Sequence, residues 1–180
     1  MTQVVKCLGA QTIVAVCSPR NFDFCQARGA TNLIDYNSAT LLDEIKALGP
    51  YNMVLDCVTS EDPRDQKQAY PAMLQGCEGL LDPDYVYRRL GGHTPDWVRA
   101  GIQRTMGFKL WRNPHDQLFW IRFPNSSDEL KELAEWAENG DLAPHVGETY
   151  QLNQVSDAFA KILSRRVSGK VIVRVSEDDS

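Results

Sequence analysis

The strongest constraint on this chain is a series of short, unbroken apolar runs separated by stretches with helical periodicity. Residues 12–17 (TIVAVC), 32–36 (NLIDY) and 52–58 (NMVLDCV) are rich in β-branched and apolar side chains, with no polar alternation. Such runs predict strands covered on both faces, the setting of a parallel sheet flanked by helices. Residues 85–87 (YVY) and 170–175 (KVIVRV) complete the expected strands. Between them, Ser38 is placed to cap a helix that carries Leu41, Leu42, Ile45 and Leu48 on one face, with Gly49-Pro50 as its stop. Ser126 and Glu129 have the spacing of a capping box, followed by Leu130, Leu133, Ala134 and Ala137, and by Gly140 as the stop. Asn153 is placed to cap a helix turning Val155, Ala158, Phe159, Ile162 and Leu163 inward. Residues 20–28 make a weaker helix ended by Gly29. Strands alternating with helices in this way predict an α/β fold, a Rossmann-like doubly wound parallel sheet.

The first residues qualify that fold. Val4, Val5 and Leu8 share one side of a short helix that Gly9 ends. In a doubly wound fold such a helix follows a strand and a glycine-rich turn. Neither lies within the sequence ahead of it, and no G-x-G-x-x-G occurs anywhere in the chain. The expected sheet is therefore incomplete, with its first strand and glycine-rich loop missing. The expected organisation is one partial dinucleotide-binding domain over residues 1–175, with a C-terminal helix and strand, and an acidic tail over residues 176–180.

Charge and cysteine usage narrow the function classes. A net charge of -5 and a pI near 5.2 argue against a general binder of nucleic acid or of anionic membranes. No apolar run approaches the roughly 18 residues of a membrane span. The five cysteines, Cys7, Cys17, Cys25, Cys57 and Cys77, are odd in number and mostly sit in apolar or periodic segments. That pattern predicts reduced thiols in an intracellular protein, cytoplasmic or mitochondrial. There is no C-x-x-C and no H-E-x-x-H, and His93, His115 and His145 do not cluster, so no metal site is expected.

Candidate chemistry gathers at the ends of the expected strands, where open α/β sheets bind ligands. After the first strand comes Ser18-Pro19-Arg20, with no acid before Asp23. An acid at such a tip receives the free 2′-hydroxyl of NAD, whereas a hydroxyl and a guanidinium favour the 2′-phosphate of NADP. The competing interpretation is a capped helix start with a solvated arginine. Tyr36, after Asp35, is placed against the adenosine or is an interfacial tyrosine with a wet tip. Asp56, Cys57, Val58, Thr59 and Ser60 occupy a third strand end, or start the next helix. Gly91 and Gly92 would let backbone approach a ligand, and His93 is expected to be a loop residue without a partner acid. Tyr85 and Arg89 have the spacing of a Tyr-x-x-x-Lys pair, but arginine cannot give up its proton. Residues 108–123 (FKLWRNPHDQLFWIRF) mix aromatics and cations, which predicts core plus subunit interface, with an edge strand able to pair with a second copy.

Taken in order, the helix stub, VAVCS, RGA, N-LIDY, Y-N-MVLDCV and the closing GK-V-I-V resemble the cofactor domain and C-terminal end of the medium-chain dehydrogenase/reductase superfamily. The closest branch is the zinc-independent, quinone-oxidoreductase-like one. The resemblance implies an NADPH-dependent reductase, commonly a homodimer, that transfers hydride to a small-molecule quinone or to an activated carbonyl or enone. By position, it implies cofactor contacts for Ser18, Arg20 and Tyr36, a place near the ribose for Val58, a place beside the nicotinamide for Phe123, and a late contact for Lys170. It assigns no catalytic residue to this chain. Thr59 stands where the family has glycine, and the glycine-rich turn and the catalytic domain are missing. The expectation is a fragment or shortened form, inactive alone and weak in NADPH binding, since the pyrophosphate would lack its helix N-terminus. The alternative is a non-catalytic α/β interaction or dimerisation module. No nucleic-acid or membrane partner is expected.

Overall fold

The apolar runs form short parallel strands. The structure is a computed structural model and describes residues 1–57, 80–90, 94–107, 116–118, 127–164 and 166–176. Strand β1 (Val14–Cys17) pairs with β2 (Asn32–Asp35), with Val14 opposite Asn32 and Cys17 opposite Asp35. Strand β3 (Tyr51–Asp56) pairs with β4 (Leu81–Arg89), which pairs in turn with β5 (Asp116–Leu118). Strand β6 (Val146–Gln151) pairs with β7 (Lys170–Arg174). All of these pairings are parallel, as expected. The helices are α1 (Thr2–Cys7), α2 (Phe22–Gln26), α3 (Leu41–Ala47), α4 (Thr94–Met106), α5 (Ser127–Glu138) and α6 (Val155–Leu163).

The described strands form separate ladders. Among the described residues β1 has β2 as its ladder partner and β3 has β4, and nothing bridges β1 to β3. The two ladders are joined by side chains instead. Ile34, Leu41, Ile45 and Leu80 form a buried cluster, with Val14, Val16, Leu48 and Tyr51 packed against it. Ile45 of α3 is its most enclosed member, at 1% exposure. The Tyr51 hydroxyl donates to the Ile45 carbonyl at 2.8 Å, so the ring can be half-buried with its polar tip satisfied.

Several local expectations change. The β1 side chains are all half-buried rather than covered on both faces, and among the described residues β1 has a ladder partner on one side, β2. Thr40, not Ser38, holds the cap position of α3; Ser38 lies two residues earlier and donates to Glu44. Asn153 sits inside a 3-10 turn, Leu152–Gln154, and a capping box between Gln151 and Gln154 does the work assigned to it. On α6 only Ala158 of the five expected inward residues is buried, while Phe159 is 63% and Leu163 74% exposed. The apolar side of α5 is likewise open, with Leu130 63% exposed, and Ser126 lies outside the described residues. The helical periodicity was real; the surface meant to cover it is absent from the described residues.

Candidate functional site

The residues after β1 are arranged by proline and by the β1–β2 ladder. Ser18 is extended, with φ -73° and ψ 150°, and Pro19 opens the 3-10 turn Pro19–Asn21, where its fixed φ fits the first position. The Asn21 N–H donates to the Ser18 carbonyl at 2.8 Å. The Ser18 hydroxyl makes no capping hydrogen bond, so the cap interpretation is not realised. Arg20 is exposed on this turn. The Tyr36 N–H donates to the Cys17 carbonyl at 3.3 Å, one step past the ladder, which sets Tyr36 beside the Ser18 turn. The Asp35 carboxylate accepts from the Asn37 N–H at 2.9 Å and from its amide at 3.3 Å, an Asx turn that satisfies the acid locally.

The C-terminal pair docks against the same turn. The Ser168 hydroxyl donates to Asn21 Oδ1 at 3.0 Å. The Phe24 and His145 rings meet edge to face with centroids 4.9 Å apart, and the Arg28 guanidinium lies 3.9 Å from the Phe24 centroid. Gly169 then takes φ +96°, and the Lys170 N–H donates to the His145 carbonyl at 2.7 Å. Lys170 itself is exposed. Ser18, Arg20 and Tyr36 thus lie at one end of the β1–β2 pair, and the segment leading to Lys170 is tied to the turn that carries Arg20. Val58, Phe123, Thr59, Ser60, Gly91, Gly92 and His93 lie outside the described residues.

A buried polar cluster escaped the sequence-based reasoning. The Tyr87 hydroxyl donates to Asp56 Oδ2 at 2.7 Å, and Arg89 Nη1 pairs with Asp96 Oδ2 at 3.0 Å. Asp56 and Arg89 are cross-strand partners, so these groups share one face at the carboxyl ends of β3 and β4, and Asp96 brings α4 onto it. The signal was the period-two spacing of Tyr85, Tyr87 and Arg89, obscured by reading Tyr85 and Arg89 as a failed catalytic pair. On the opposite side of β4, Arg88 Nη1 is buried without a hydrogen-bond partner among the described residues. An open concavity at the ends of β6 and β7 is lined by Gln151, Leu152, Asn153, Arg174, Val175 and Ser176, none of them a candidate cofactor residue.

The sequence profile of the zinc-binding dehydrogenase family matches residues 28–173. The chain belongs to that family, within the medium-chain dehydrogenase/reductase superfamily. It is 26% identical over 182 residues to the mitochondrial NAD(P)H oxidoreductase RTN4IP1 of Homo sapiens, covering 96% of this chain and 44% of that protein. It is 24% identical over 186 residues to the trans-enoyl reductase pgmF of Aspergillus terreus, covering 97% and 48%. The quinone oxidoreductase of Coxiella burnetii superposes with a TM-score of 0.64 at 22% identity, over 97% of this chain and 48% of that one. The chain spans about half the length of the curated relatives it matches. The fold is thus the α/β, Rossmann-like one expected. Although the family is named for zinc, no three His, Cys, Asp or Glu side chains among the described residues converge to hold a metal ion, so these residues do not fit a zinc site. No helix among them is long and apolar enough to cross a membrane.

Proposed function

We propose that this chain is the nucleotide-binding part of a zinc-independent, NADPH-dependent oxidoreductase that reduces quinones or activated carbonyls and enones. The observation that carries this reading is the β1 tip: an extended Ser18 whose hydroxyl makes no capping hydrogen bond, an exposed Arg20, and Tyr36 just past the end of the adjoining strand. Ser18 and Arg20 would hold the 2′-phosphate, the guanidinium as a paired donor, and Tyr36 would border the adenosine. Lys170 would add a second cation from the segment tied to this turn. Val58 and Phe123 keep the ribose and nicotinamide roles that the family resemblance implies. NADPH supplies the hydride when bound; the part of this chain is to hold and orient the nucleotide, and no catalytic residue is assigned to it. Two copies would associate through the β5 edge, and the compartment is cytoplasmic or mitochondrial.

The divided sheet supports weak binding by this chain alone. Any backbone group of β1 or β3 left buried and unsatisfied would cost about 1–3 kcal/mol. The test is titration with NADPH and NADH, followed by the fluorescence of the four tryptophans. The expected result is weak binding with NADPH ahead of NADH, and Arg20→Ala removing the preference, about tenfold or more for a charge-assisted contact. Tight NADPH binding overturns the weak grip. An NADH affinity equal to that for NADPH overturns the roles of Ser18 and Arg20.

A second reading, a non-catalytic α/β interaction module, is favoured by the open apolar side of α6, with Phe159, Ile162 and Leu163 each more than half exposed. Loss of measurable nucleotide binding together with concentration-dependent self-association would select it.

A further inference from the structure

Two thiols meet at the base of the turn that carries Ser18 and Arg20. Cys17 is the last residue of β1 and Cys25 lies in α2, with their sulfurs 3.7 Å apart and both side chains partly buried. The two ends are held from different directions. The ladder fixes Cys17 opposite Asp35. The Cys25 carbonyl accepts from the Arg28 N–H at 3.1 Å and the Ala30 N–H at 3.0 Å, and Phe24 is wedged between His145 and Arg28. A disulfide needs its sulfurs about 2.05 Å apart, so closure asks for a movement of under about 2 Å, within reach of side-chain rotation and a small backbone adjustment.

We propose that Cys17 and Cys25 form a reversible intramolecular disulfide, with a low-molecular-weight disulfide of the glutathione class as oxidant. The Cys25 thiolate attacks one sulfur of the oxidant, whose S–S bond breaks; the expelled thiolate takes up a proton. Cys17 then attacks the Cys25 sulfur of the mixed disulfide and expels the second small thiolate, which is protonated in turn. Two protein thiols lose two electrons, and one small disulfide becomes two small thiols.

The surroundings of Cys17 favour this order. Burial, then the hydrogen bond and charge of Cys25, push the Cys17 thiol up to about 12, so Cys17 is a poor first nucleophile. In the mixed disulfide the Cys25 contributions to that shift are gone, while burial and the Asp35 charge remain, so Cys17 resolves it through a small thiolate fraction held close to the Cys25 sulfur. Among the other described cysteines, Cys7 contacts a backbone carbonyl, that of Asp141, at 3.9 Å.

The experiment uses the full chain, reduced, freed of reductant, treated with oxidised glutathione and mapped by tryptic mass spectrometry without reduction. The expected product joins the peptide of residues 7–20 to that of residues 21–28, and dithiothreitol reverses it. Because the first peptide holds both Cys7 and Cys17, the Cys7→Ser chain must give the same product. The Cys17–Cys25 link should exceed every other pairing at least about tenfold. Cys17→Ser should trap a stable glutathione adduct on Cys25. Persistent free thiols, stable adducts in the unmodified chain, or a random spread of pairings overturn the proposal. None of these readouts depends on nucleotide binding, so the disulfide and the cofactor reading stand or fall separately.

Discussion

Arg89 Nη1 lies 3.0 Å from Asp96 Oδ2, with 7% and 12% of the two side chains accessible, so a desolvated ion pair fastens α4 to β4. Removing one member of such a pair leaves the other charge stranded. Asp96→Ala is expected to lower stability by about 3 kcal/mol in urea unfolding. Asp96→Asn, which keeps an acceptor for the guanidinium, should lose less. Equal losses for the two variants would mean that charge and hydrogen bond are not what holds the helix.

The glycine before Lys170 is required by geometry. Gly169 has φ +96°, and a Cβ there would stand 2.5 Å from the His145 carbonyl oxygen and 2.6 Å from its ring carbon. The carbonyl oxygen cannot retreat without opening the Lys170–His145 hydrogen bond, and the ring carbon cannot without disturbing the edge contact with Phe24. Gly29 has a similar φ of +102°, but its nearest neighbour, at 2.8 Å, is the far part of the Lys6 side chain. Gly29→Ala should cost about 1 kcal/mol, the backbone penalty alone. Gly169→Ala should cost about 2–4 kcal/mol through the added clash. Chemical denaturation of the two variants checks the difference, and similar losses would contradict it.

Glu44 gives a pH signature. Ser38 Oγ donates to its Oε1 at 2.5 Å and Thr40 Oγ1 at 2.7 Å, and these hydroxyls hold the carboxyl below its ordinary range. A lowered folded-state value favours the ionised form. Its contribution is therefore present above the unfolded-state value and lost as pH falls through the folded one. Melting temperatures of the unmodified chain and Glu44→Gln should differ at neutral pH and converge as the solution is acidified below about pH 4. A gap that stays constant with pH would contradict this.

Tyr150 responds at the other end of the scale. Its hydroxyl donates to Glu148 Oε2 at 2.5 Å, while Lys161 Nζ sits 2.6 Å from Oε1, linking β6 to α6. The hydrogen bond to Glu148, then burial and the Glu148 charge, raise the phenol above its ordinary value. A raised value means the contribution is full below the unfolded-state value and is lost as pH rises through the folded one. Phenolate absorbance, taken as the difference from Tyr150→Phe, should show this titration late, and Glu148→Gln should bring it earlier. An unmoved titration in Glu148→Gln would sink the assignment.

What the sequence disclosed and what it withheld have physical causes. β1, β2, β3 and β7 were legible because apolar, β-branched runs bounded by turn residues have few other uses. The stop at Gly29 was legible because the position demands positive φ. β6 was missed because Val146, Gly147, Glu148 and Thr149 carry no apolar pattern; its register comes from β7. The extent of β4 was underestimated because Arg88 and Arg89 look like a turn until Asp96 supplies a counter-charge from another element. The position of Ser18, Arg20 and Tyr36 at one end of the β1–β2 pair was legible from strand ends alone. The tie from Ser168 to Asn21 was not, because it joins residues 147 positions apart and depends on tertiary docking.

Two ladders that share no strand among the described residues would also be two units of cooperativity. A two-stranded pair is marginal by itself, and here the β1–β2 pair meets β3–β4 through side chains around Ile45 rather than through peptide groups. Backbone amides of β1 and β2 can then exchange with solvent through an opening that leaves β3 and β4 closed. The turn proposed to grip the nucleotide belongs to the less anchored unit, so occupancy of that turn would be felt first as slower exchange in β1 and β2, ahead of any change in global unfolding.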